Sequence, residues 1–217
     1  MTDVTLVFED GTIRVDGATA VEFDVTDDPR SKTGRIPAFQ YDELRESLRS
    51  QDVAVEDRVF DLPDLDVAST YQLREYQADA LAAWRRSDDR GVLELPTGSG
   101  KTVIGIAAIE ALETPTLVVV PTIDLLDQWV ETLQAEFEAP IGRLGGGSQR
   151  VESITVSTYD SAYLRAGELG DRFGLVVFDE VHHLGGEGYR DIARMLAAPA
   201  RLGLTATFER PDGAHEV

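Results

Sequence analysis

The sequence predicts a doubly wound α/β domain, built on a parallel sheet and preceded by a small α+β domain. From Tyr71 onward, helical and strand-like segments alternate, and two of the strands are unbroken apolar runs at 117–120 and 175–178. Such runs are typical of strands that are buried on both faces of a parallel sheet. Residues before Tyr71 instead show a hairpin and one helix, and 217 residues are enough for both domains. We therefore predict a first domain over 1–68 and a second over 69–217.

The elements of the first domain follow from alternation, turn residues and helical spacing. They are a hairpin over 5–15, a loop over 27–37 and a helix over 41–49. The hairpin turns at Asp10-Gly11, a dipeptide that favours the positive φ angles of a tight turn. Acids and a proline over 61–69 have the composition of a linker, so we place the domain boundary there.

In the second domain, each element is predicted from hydrophobic periodicity. The predicted helices cover 74–86, 101–112, 123–137 and 189–198, and the predicted strands cover 91–95, 116–120, 154–157, 175–178 and 201–205. In a doubly wound sheet, ligands bind at the carboxyl ends of the strands. Functional residues are therefore expected in the loops that follow these strands.

The chain is strongly acidic, with 40 acidic residues, 18 arginines, 2 lysines and a net charge of −20. The acids are spread along the chain, which resembles proteins of halophilic archaea with molar internal salt, where the Debye length falls to ~3 Å. The charge therefore indicates habitat and does not exclude a nucleic-acid partner. No apolar run approaches the ~20 residues of a membrane span, so we expect a soluble, cytoplasmic protein without a membrane partner. The absence of cysteine excludes disulfides and cysteine nucleophiles.

A glycine-rich loop with a lysine follows the predicted strand over 91–95. Residues 95–102 read Leu-Pro-Thr-Gly-Ser-Gly-Lys-Thr. The backbone N–H groups of such a loop can surround a phosphate, the lysine reaches the terminal phosphates and the threonine hydroxyl binds Mg²⁺. The residues predicted to bind ATP in this way are Thr97, Gly98, Ser99, Gly100, Lys101 and Thr102. The loop departs from the strict pattern at Leu95, where glycine is expected, and a glycine turn with a surface lysine is the alternative.

Two adjacent carboxylates follow the most apolar strand, within Asp179-Glu180-Val181-His182-His183. Carboxylates at the end of a buried strand are costly unless a cation or a proton transfer uses them. Asp179 suits Mg²⁺ binding together with Thr102, and Glu180 suits deprotonation of an attacking water. With Lys101 they form the predicted catalytic set. A solvated turn is the alternative for an isolated Asp-Glu pair, but this pair lies 78 residues after Lys101 and behind a buried strand.

These motifs, in this order, resemble those of superfamily 2 helicases. Lys101-Thr102 corresponds to motif I, Asp179–His182 to motif II and Thr205–Thr207 to motif III. The resemblance implies a RecA-like domain that hydrolyses ATP with Mg²⁺. It also implies that Gln77, with Arg74, lies beside the adenine, where an amide can accept from N6 and donate to N7. An exposed helix glutamine is the alternative for Gln77 considered alone.

Two longer segments, Asp179–His183 and Leu204–Arg210, narrow the resemblance to XPB-like DNA repair helicases. Residues 28–41 also resemble the segment that closes the small damage-recognition domain of this family. The resemblance implies that the chain is the ATP-binding and DNA-binding portion of a 3′→5′ DNA helicase or translocase. In this family, motif III is followed by an Arg-Glu-Asp element that is implicated in strand opening. Here the residues are Arg210-Pro211-Asp212, and the proline removes the middle acid and one backbone donor.

The resemblance assigns roles to residues beyond the ATP site. The residues expected to couple motif II to motif III and to the rest of the motor are His182, Thr205, Thr207 and Arg210. The residues expected to contact DNA phosphates through hydroxyl and N–H groups are Pro121, Thr122, Gly146, Ser157 and Thr158. Each of these loops, considered alone, is more often an ordinary turn. The expected DNA is a single strand at a fork or a damaged duplex.

The resemblance also implies what the chain would need to act as a motor. Superfamily 2 motors use a second RecA-like domain whose arginines complete the ATP site, so we expect residues 1–217 alone to be nearly inactive as an ATPase. A repair nuclease or a transcription factor is the implied protein partner. Two alternatives remain: the translocase domain of a restriction enzyme, and a non-catalytic module that binds nucleotide and docks DNA or a nuclease.

Overall fold

The computed structural model describes residues 3–17, 22–28, 33–186 and 188–206. The first part of the chain forms a sheet with the strand order β3-β4-β2-β1-β5. Its elements are β1 Val4–Glu9, β2 Thr12–Asp16, β3 Thr26–Asp28, β4 Thr33–Pro37, α1 Tyr41–Ser50 and β5 Val55–Asp57. The predicted hairpin is confirmed, because β1 and β2 pair antiparallel across the turn at Asp10-Gly11. The predicted helix over 41–49 is confirmed as α1.

The segment over 27–37, which the sequence predicts as a loop, is mostly strand, so this prediction is wrong. β4 pairs antiparallel with β2, and β3 pairs antiparallel with β4. Within β4, Gly34 and Ile36 are buried, whereas Arg35 is partly exposed and pairs with Glu9 at 2.5 Å. A strand with two buried positions, one of them glycine, carries a weak hydrophobic signal. Cross-strand pairing, and not periodicity, determines its conformation.

The second part of the chain forms a sheet with the strand order β6-β12-β11-β7-β10-β8-β9. Its strands are β6 Arg90–Glu94, β7 Thr116–Val120, β8 Ile141–Gly145, β9 Ser148–Arg150, β10 Ile154–Thr158, β11 Leu175–Asp179 and β12 Ala200–Thr205. Its helices are α2 Glu75–Arg86, α3 Lys101–Leu112, α4 Ile123–Glu136, α5 Tyr159–Leu169 and α6 Tyr189–Met195. All neighbouring strands pair parallel except β8 and β9, which pair antiparallel. The predicted doubly wound α/β fold is confirmed, and the loops that follow β6, β7, β10 and β11 lie at one edge together with the last residue of β12.

The sequence does not predict β8, β9 or α5, and it extends α6 too far. β8 has two glycines in five residues, and its backbone passes so close to β10 that a Cβ at Gly142 would lie 2.4 Å from Thr155 Oγ1. This close approach depends on tertiary structure, which periodicity does not report. α6 ends at Met195 and not at residue 198, because the backbone N–H of Ala197 donates to the carbonyl of Gly170 at 2.7 Å.

Helices cover both faces of the second sheet. On β7, Val118 and Val120 belong to one buried cluster with side chains of α2, α3 and α4. Leu117 and Val119 belong to another with side chains of α5 and α6. The alternation along β7 therefore shows a strand that is buried on both faces, as its unbroken apolar run predicts.

The first domain packs against the edge of the second sheet where its strands begin. Ala197, which precedes β12, is buried within the core cluster of the first domain. A Cβ at Gly170 would lie 2.3 Å from Phe8 Cζ, so glycine allows the close contact at this position. Arg90 at the start of β6 pairs with Asp42 on α1 at 3.5 Å. This packing leaves the opposite edge, where the strands end, available for ligands.

Candidate nucleotide and DNA site

The phosphate loop lies between β6 and α3, at the edge where the strands end. Gly98 and Gly100 have φ angles of 78° and 80°, which favour glycine, and a Cβ at Gly98 would meet nothing within 4 Å. The backbone N–H of Leu95 donates to Thr205 at 3.0 Å and ties the loop to the end of β12. The Ser99 hydroxyl is buried and has no hydrogen-bond partner among the described residues. An open turn with such a hydroxyl is a suitable cradle for a phosphate.

Gln77 holds the phosphate loop against the start of α2. It is 4 % exposed, which excludes the alternative of an exposed helix glutamine. Its Oε1 accepts from the N–H of Arg74 at 2.9 Å, and its Nε2 donates to the Ser99 carbonyl at 2.8 Å. The Tyr76 hydroxyl, which the sequence does not single out, donates to the same carbonyl at 2.6 Å. An amide has two donors and two acceptor lone pairs, so Gln77 keeps the capacity that adenine recognition requires.

Lys101 begins α3 and projects into the site between the loop and motif II. Its side chain is 12 % exposed, and its Nζ lies 3.5 Å from the Leu95 carbonyl and 3.8 Å from Glu180 Oε1. Both distances are long for hydrogen bonds, so the ammonium is kept in place while its donors remain available to phosphate oxygens. Thr102 follows in the first turn of the same helix. Its role as a metal ligand remains a prediction.

Asp179 ends β11 and is 6 % exposed. Its Oδ2 accepts from the indole Nε1 of Trp129 at 2.8 Å, and its Oδ1 accepts from the N–H of Glu180 at 3.0 Å. Burial raises the pKa of Asp179 above its usual range, and the charge of Glu180 acts in the same direction, while the Trp129 bond and Lys101 oppose them. A buried carboxylate with two donors in place is fixed in orientation and would be stabilised further by a cation.

Glu180 adopts the left-handed backbone conformation, with φ 49° and ψ 54°. Such a conformation is uncommon for a residue with a side chain and costs on the order of 1–3 kcal/mol. It directs the carboxylate to a position where Oε1 lies 3.8 Å from Lys101 Nζ and Oε2 lies 3.4 Å from His182 Nδ1. The local strain therefore brings three predicted site residues together.

His182 lies between motif II and the end of β12. Its Nδ1 is 3.1 Å from Thr205 Oγ1 and 3.4 Å from Glu180 Oε2. The predicted neighbours His182 and Thr205 are therefore in contact, while their coupling role remains a prediction. Thr207 and Arg210, the other predicted coupling residues, lie outside the described residues.

The residues of this edge fit a magnesium nucleotide. The open loop at Gly98, the unpartnered Ser99 hydroxyl and the available ammonium of Lys101 are suited to phosphate oxygens. Asp179 and Thr102 would supply oxygen ligands for Mg²⁺, which in phosphate sites usually takes one or two protein ligands and keeps several waters. The described residues contain no group of three or more His, Cys, Asp or Glu side chains that could hold a metal ion.

The loops predicted to contact DNA converge beside the nucleotide site. Thr122 is exposed at the start of α4, where its hydroxyl accepts from the N–H of Leu125 at 3.2 Å. A Cβ at Gly145 would lie 3.0 Å from Thr158 Cγ2, and one at Gly146 would lie 3.5 Å from Ile123 Cδ1. The turn between β8 and β9 therefore touches both the residue at the start of α4 and Thr158, which directly precedes α5.

One predicted DNA residue does not reach the surface. Ser157 is fully buried, and its hydroxyl donates to the carbonyl of Thr158 at 3.0 Å. Thr158 is 7 % exposed and directly precedes α5, and its hydroxyl donates to the Ser161 hydroxyl at 3.0 Å. Pro121 is partly exposed directly before Thr122. Of the five predicted DNA residues, Pro121, Thr122 and Gly146 are therefore partly or fully exposed, while Thr158 is nearly buried and Ser157 is fully buried.

The chain belongs to the family whose model is described as type III restriction enzyme, res subunit, which matches residues 70–210. A second family model, described as the xeroderma pigmentosum group B helicase damage recognition domain, matches residues 6–59. These two matches confirm the resemblance to the N-terminal region of XPB-like helicases.

Several curated relatives carry the XPB name. The DNA 3′-5′ translocase XPB2 of Sulfurisphaera tokodaii is 47 % identical over 181 residues, which cover 83 % of this chain and 41 % of the relative. The DNA 3′-5′ helicase XPB of Mycobacterium tuberculosis is 37 % identical over 154 residues, which cover 66 % of this chain and 28 % of the relative. The chain therefore spans less than half the length of these relatives.

Solved structures share the fold. The UvsW helicase from bacteriophage T4 aligns with a TM-score of 0.56 at 18 % identity and covers 95 % of this chain and 93 % of that chain. The Hef helicase domain of Pyrococcus furiosus aligns with a TM-score of 0.55 at 27 % identity and covers 66 % of this chain and 35 % of that chain. The RecA-like assignment of the second domain is thereby confirmed. None of the helices in the described residues is long and apolar enough to cross a membrane.

Proposed function

We propose that this chain is the ATP-binding and DNA-binding portion of an XPB-like 3′→5′ DNA helicase or translocase that acts in DNA repair. The observation that carries the proposal is the meeting of Lys101, Asp179 and Glu180 around an open phosphate loop. The names of the XPB relatives support the substrate and the direction of movement. We further propose a repair nuclease or a transcription factor as protein partner.

In this proposal, Lys101 and the N–H groups of the loop hold the terminal phosphates of ATP. Thr102 and Asp179 hold Mg²⁺, which when bound neutralises charge on the phosphates. Glu180 orients the attacking water and accepts its proton, because its carboxylate faces the site beside Lys101. His182 contacts both Glu180 and Thr205, so it is placed to relate hydrolysis to the end of β12.

DNA would be held by phosphate contacts at the loops that follow β7, β8 and β10, at the same edge of the sheet as the nucleotide site. Thr122, Gly146 and Thr158 offer hydroxyl and N–H groups that bind phosphates without distinguishing bases. Such contacts suit a motor, which has to move along DNA of any sequence. The single strand of a fork and a damaged duplex are the proposed substrates.

Two observations favour this proposal over its alternatives. The match of residues 6–59 to a damage recognition domain favours an XPB-like protein over a restriction translocase. The position of the Glu180 carboxylate, with Oε1 3.8 Å from Lys101 Nζ and Oε2 3.4 Å from His182 Nδ1, favours a catalytic site over a docking module.

The first test is nucleotide affinity after loss of the loop lysine. Lys101→Ala removes a charge-assisted contact with the phosphates, so ATP binding should weaken by at least ~1.5 kcal/mol, or about tenfold. Isothermal titration calorimetry with Mg²⁺ in molar KCl measures this change. Lys32→Ala, which removes the other lysine of the chain, is the charge-matched control and should bind like the wild type. Equal affinity of Lys101→Ala and wild type would refute the phosphate site.

A further inference from the structure

Trp129 is a buried side chain that joins three parts of the proposed site. It lies on α4, and its indole N–H donates to Asp179 Oδ2 at 2.8 Å. Its ring packs against α3 at Gly105, where a Cβ would lie 2.6 Å from the ring Cη2. The same helix α4 starts after Thr122, at the candidate DNA edge. One buried side chain therefore contacts both the predicted metal carboxylate Asp179 and the helix α3 that follows the phosphate loop. It belongs to α4, which begins where DNA would bind.

Tyr159 makes a second buried link to the same residue. It is 1 % exposed, and its hydroxyl donates to the backbone carbonyl of Asp179 at 3.1 Å. Tyr159 is the first residue of α5 and follows Thr158 directly. The side chain of Asp179 is thus held from α4 and its backbone is held from α5. Both helices begin directly after residues that are predicted to contact DNA phosphates.

We propose that Trp129 and Tyr159 are positioning residues that couple DNA contact at Thr122 and Thr158 to the orientation of Asp179. This inference rests on the proposed function, because it requires a metal nucleotide at Asp179 and DNA at Thr122 and Thr158. A shift of α4 or α5 on DNA contact would move the indole or the phenol, and either group would carry the shift to the carboxylate. Hydrogen-bond partners of metal ligands orient those ligands, and their removal typically costs 10–100-fold in metal affinity or activity.

The chain offers a matched control, because its other tryptophan has the same kind of environment. Trp84 is 2 % exposed, belongs to the same core cluster and donates its indole N–H to the Arg201 carbonyl at 2.9 Å. Trp84→Phe and Trp129→Phe each keep an aromatic ring and each remove one buried indole hydrogen bond. The two variants should therefore lose similar stability, while Trp129→Phe alone should affect the metal site.

The test compares nucleotide binding with and without the metal. Calorimetry with a non-hydrolysable ATP analogue, in excess Mg²⁺ and in EDTA, gives the gain in affinity that the metal provides. Wild type and Trp84→Phe should show equal gains in affinity. The gain of Trp129→Phe should be smaller than that of the wild type by at least about tenfold, while its affinity in EDTA should be unchanged. Equal gains for Trp129→Phe and wild type would overturn the role of Trp129 alone. Failure of the wild type to bind nucleotide would overturn the proposed function and this inference with it.

A second measurement does not depend on the folding of Trp129→Phe. Trp84→Phe leaves Trp129 as the sole tryptophan, because the chain has two. Its emission should shift when Mg²⁺ is added to the nucleotide-bound protein and again when single-stranded oligonucleotide is added. Adding Tyr159→Phe should reduce the shift on DNA, whereas adding Tyr41→Phe, whose hydroxyl bonds Asp57 in the first domain, should leave it unchanged. Emission that responds to the metal but not to DNA would overturn the coupling.

Discussion

Glu180 shows how one residue can combine backbone strain with a chemical role. Its left-handed conformation follows a buried strand whose last residue, Asp179, accepts the Glu180 N–H. The side chain then lies within 4 Å of both a cationic Lys101 and the imidazole of His182. Strain of this kind persists where the surrounding contacts outweigh its cost, and such positions cluster at functional sites. In the proposed mechanism, Glu180 acts in water activation and makes no contact that nucleotide binding requires.

Substitution Glu180→Gln should therefore separate binding from turnover. The amide keeps the size of the side chain but cannot accept the proton, so in a protein that also carries a second RecA-like domain kcat for DNA-stimulated ATP hydrolysis should fall by on the order of 10²–10⁴-fold. Affinity for ATP, measured by calorimetry, should remain within a few-fold of the wild type. Glu168→Gln, which neutralises an exposed carboxylate paired with Arg165, is the control and should retain turnover. Wild-type turnover by Glu180→Gln would show that the carboxylate is structural.

At the scale of elements, the sequence predicts the strands and helices that carry a strong hydrophobic pattern. It does not predict the elements whose conformation is determined by tertiary contacts. The runs in β7 and β11 are apolar throughout, and these strands are buried on both faces. β4 and β8 are not predicted, because glycines occupy buried positions that large apolar residues would otherwise mark. In β8, close packing against Thr155 requires Gly142, and no local pattern reports that requirement.

The residues of the candidate site also fall into those that a local sequence pattern predicts and those whose role depends on tertiary contacts. The phosphate loop and the Asp179-Glu180 pair are predicted because their spacing carries chemistry, and the structure brings them together. Trp129 and Tyr76 are not predicted, because an aromatic residue on a helix indicates a core position and nothing more. Their hydrogen bonds to Asp179 and to the Ser99 carbonyl depend on how helices pack on the sheet. The Ser157 side chain fails as a DNA contact for the same reason, since its burial depends on packing.

The end of α6 gives a stability prediction at this scale. Arg201 on β12 donates from Nε to the Ala198 carbonyl at 3.2 Å and from Nη1 to the Ala193 carbonyl at 2.7 Å, and Nη2 donates to Leu196. Burial lowers the pKa of Arg201 to about 10, so the guanidinium stays charged at neutral pH. Its planar fork satisfies the last carbonyls of the helix and the turn that follows, which a lysine cannot do in the same geometry.

Arg201→Lys should lower the free energy of unfolding by about 1–3 kcal/mol, because buried carbonyls lose their donors. Urea denaturation in molar KCl measures the change. Arg194→Lys makes the same substitution at an exposed position on α6 and should cost less than about 0.5 kcal/mol. Equal effects of the two substitutions would contradict the capping role of Arg201.

At the scale of the whole molecule, most arginines of the described residues already have acidic partners. Pairs in which arginine contacts an aspartate or glutamate within 4 Å are Arg14–Glu9, Arg14–Asp16, Arg35–Glu9, Arg45–Asp57, Arg58–Glu56, Arg85–Asp89, Arg90–Asp42, Arg143–Asp127, Arg150–Glu152 and Arg165–Glu168. With a net charge of −20, the surface therefore repels a polyanion at low salt. In molar salt, this repulsion is screened within ~3 Å.

This charge distribution predicts an unusual salt dependence of DNA binding. A protein that neutralises phosphates with cations releases counterions, and log K for single strands falls with log salt by about 0.7 per phosphate. The candidate DNA edge offers hydroxyl and N–H groups at Thr122, Gly146 and Thr158, and its nearby Arg143 is paired with Asp127. We expect a slope no steeper than about −2, which corresponds to about three neutralised phosphates.

Fluorescence anisotropy of a labelled single strand, titrated with protein between about 0.3 and 2 M KCl, measures this slope. Asp127→Asn releases Arg143 from its partner and should steepen the slope by about 0.7, because one more cation becomes available to a phosphate. Asp160→Asn removes an acid of α5 whose carboxylate accepts from the Tyr189 hydroxyl at 2.6 Å, so it releases no arginine and should leave the slope unchanged. A wild-type slope near −5 would show that arginines carry the DNA contact. It would then place the DNA interface on a different surface from the three loops at the ends of the strands.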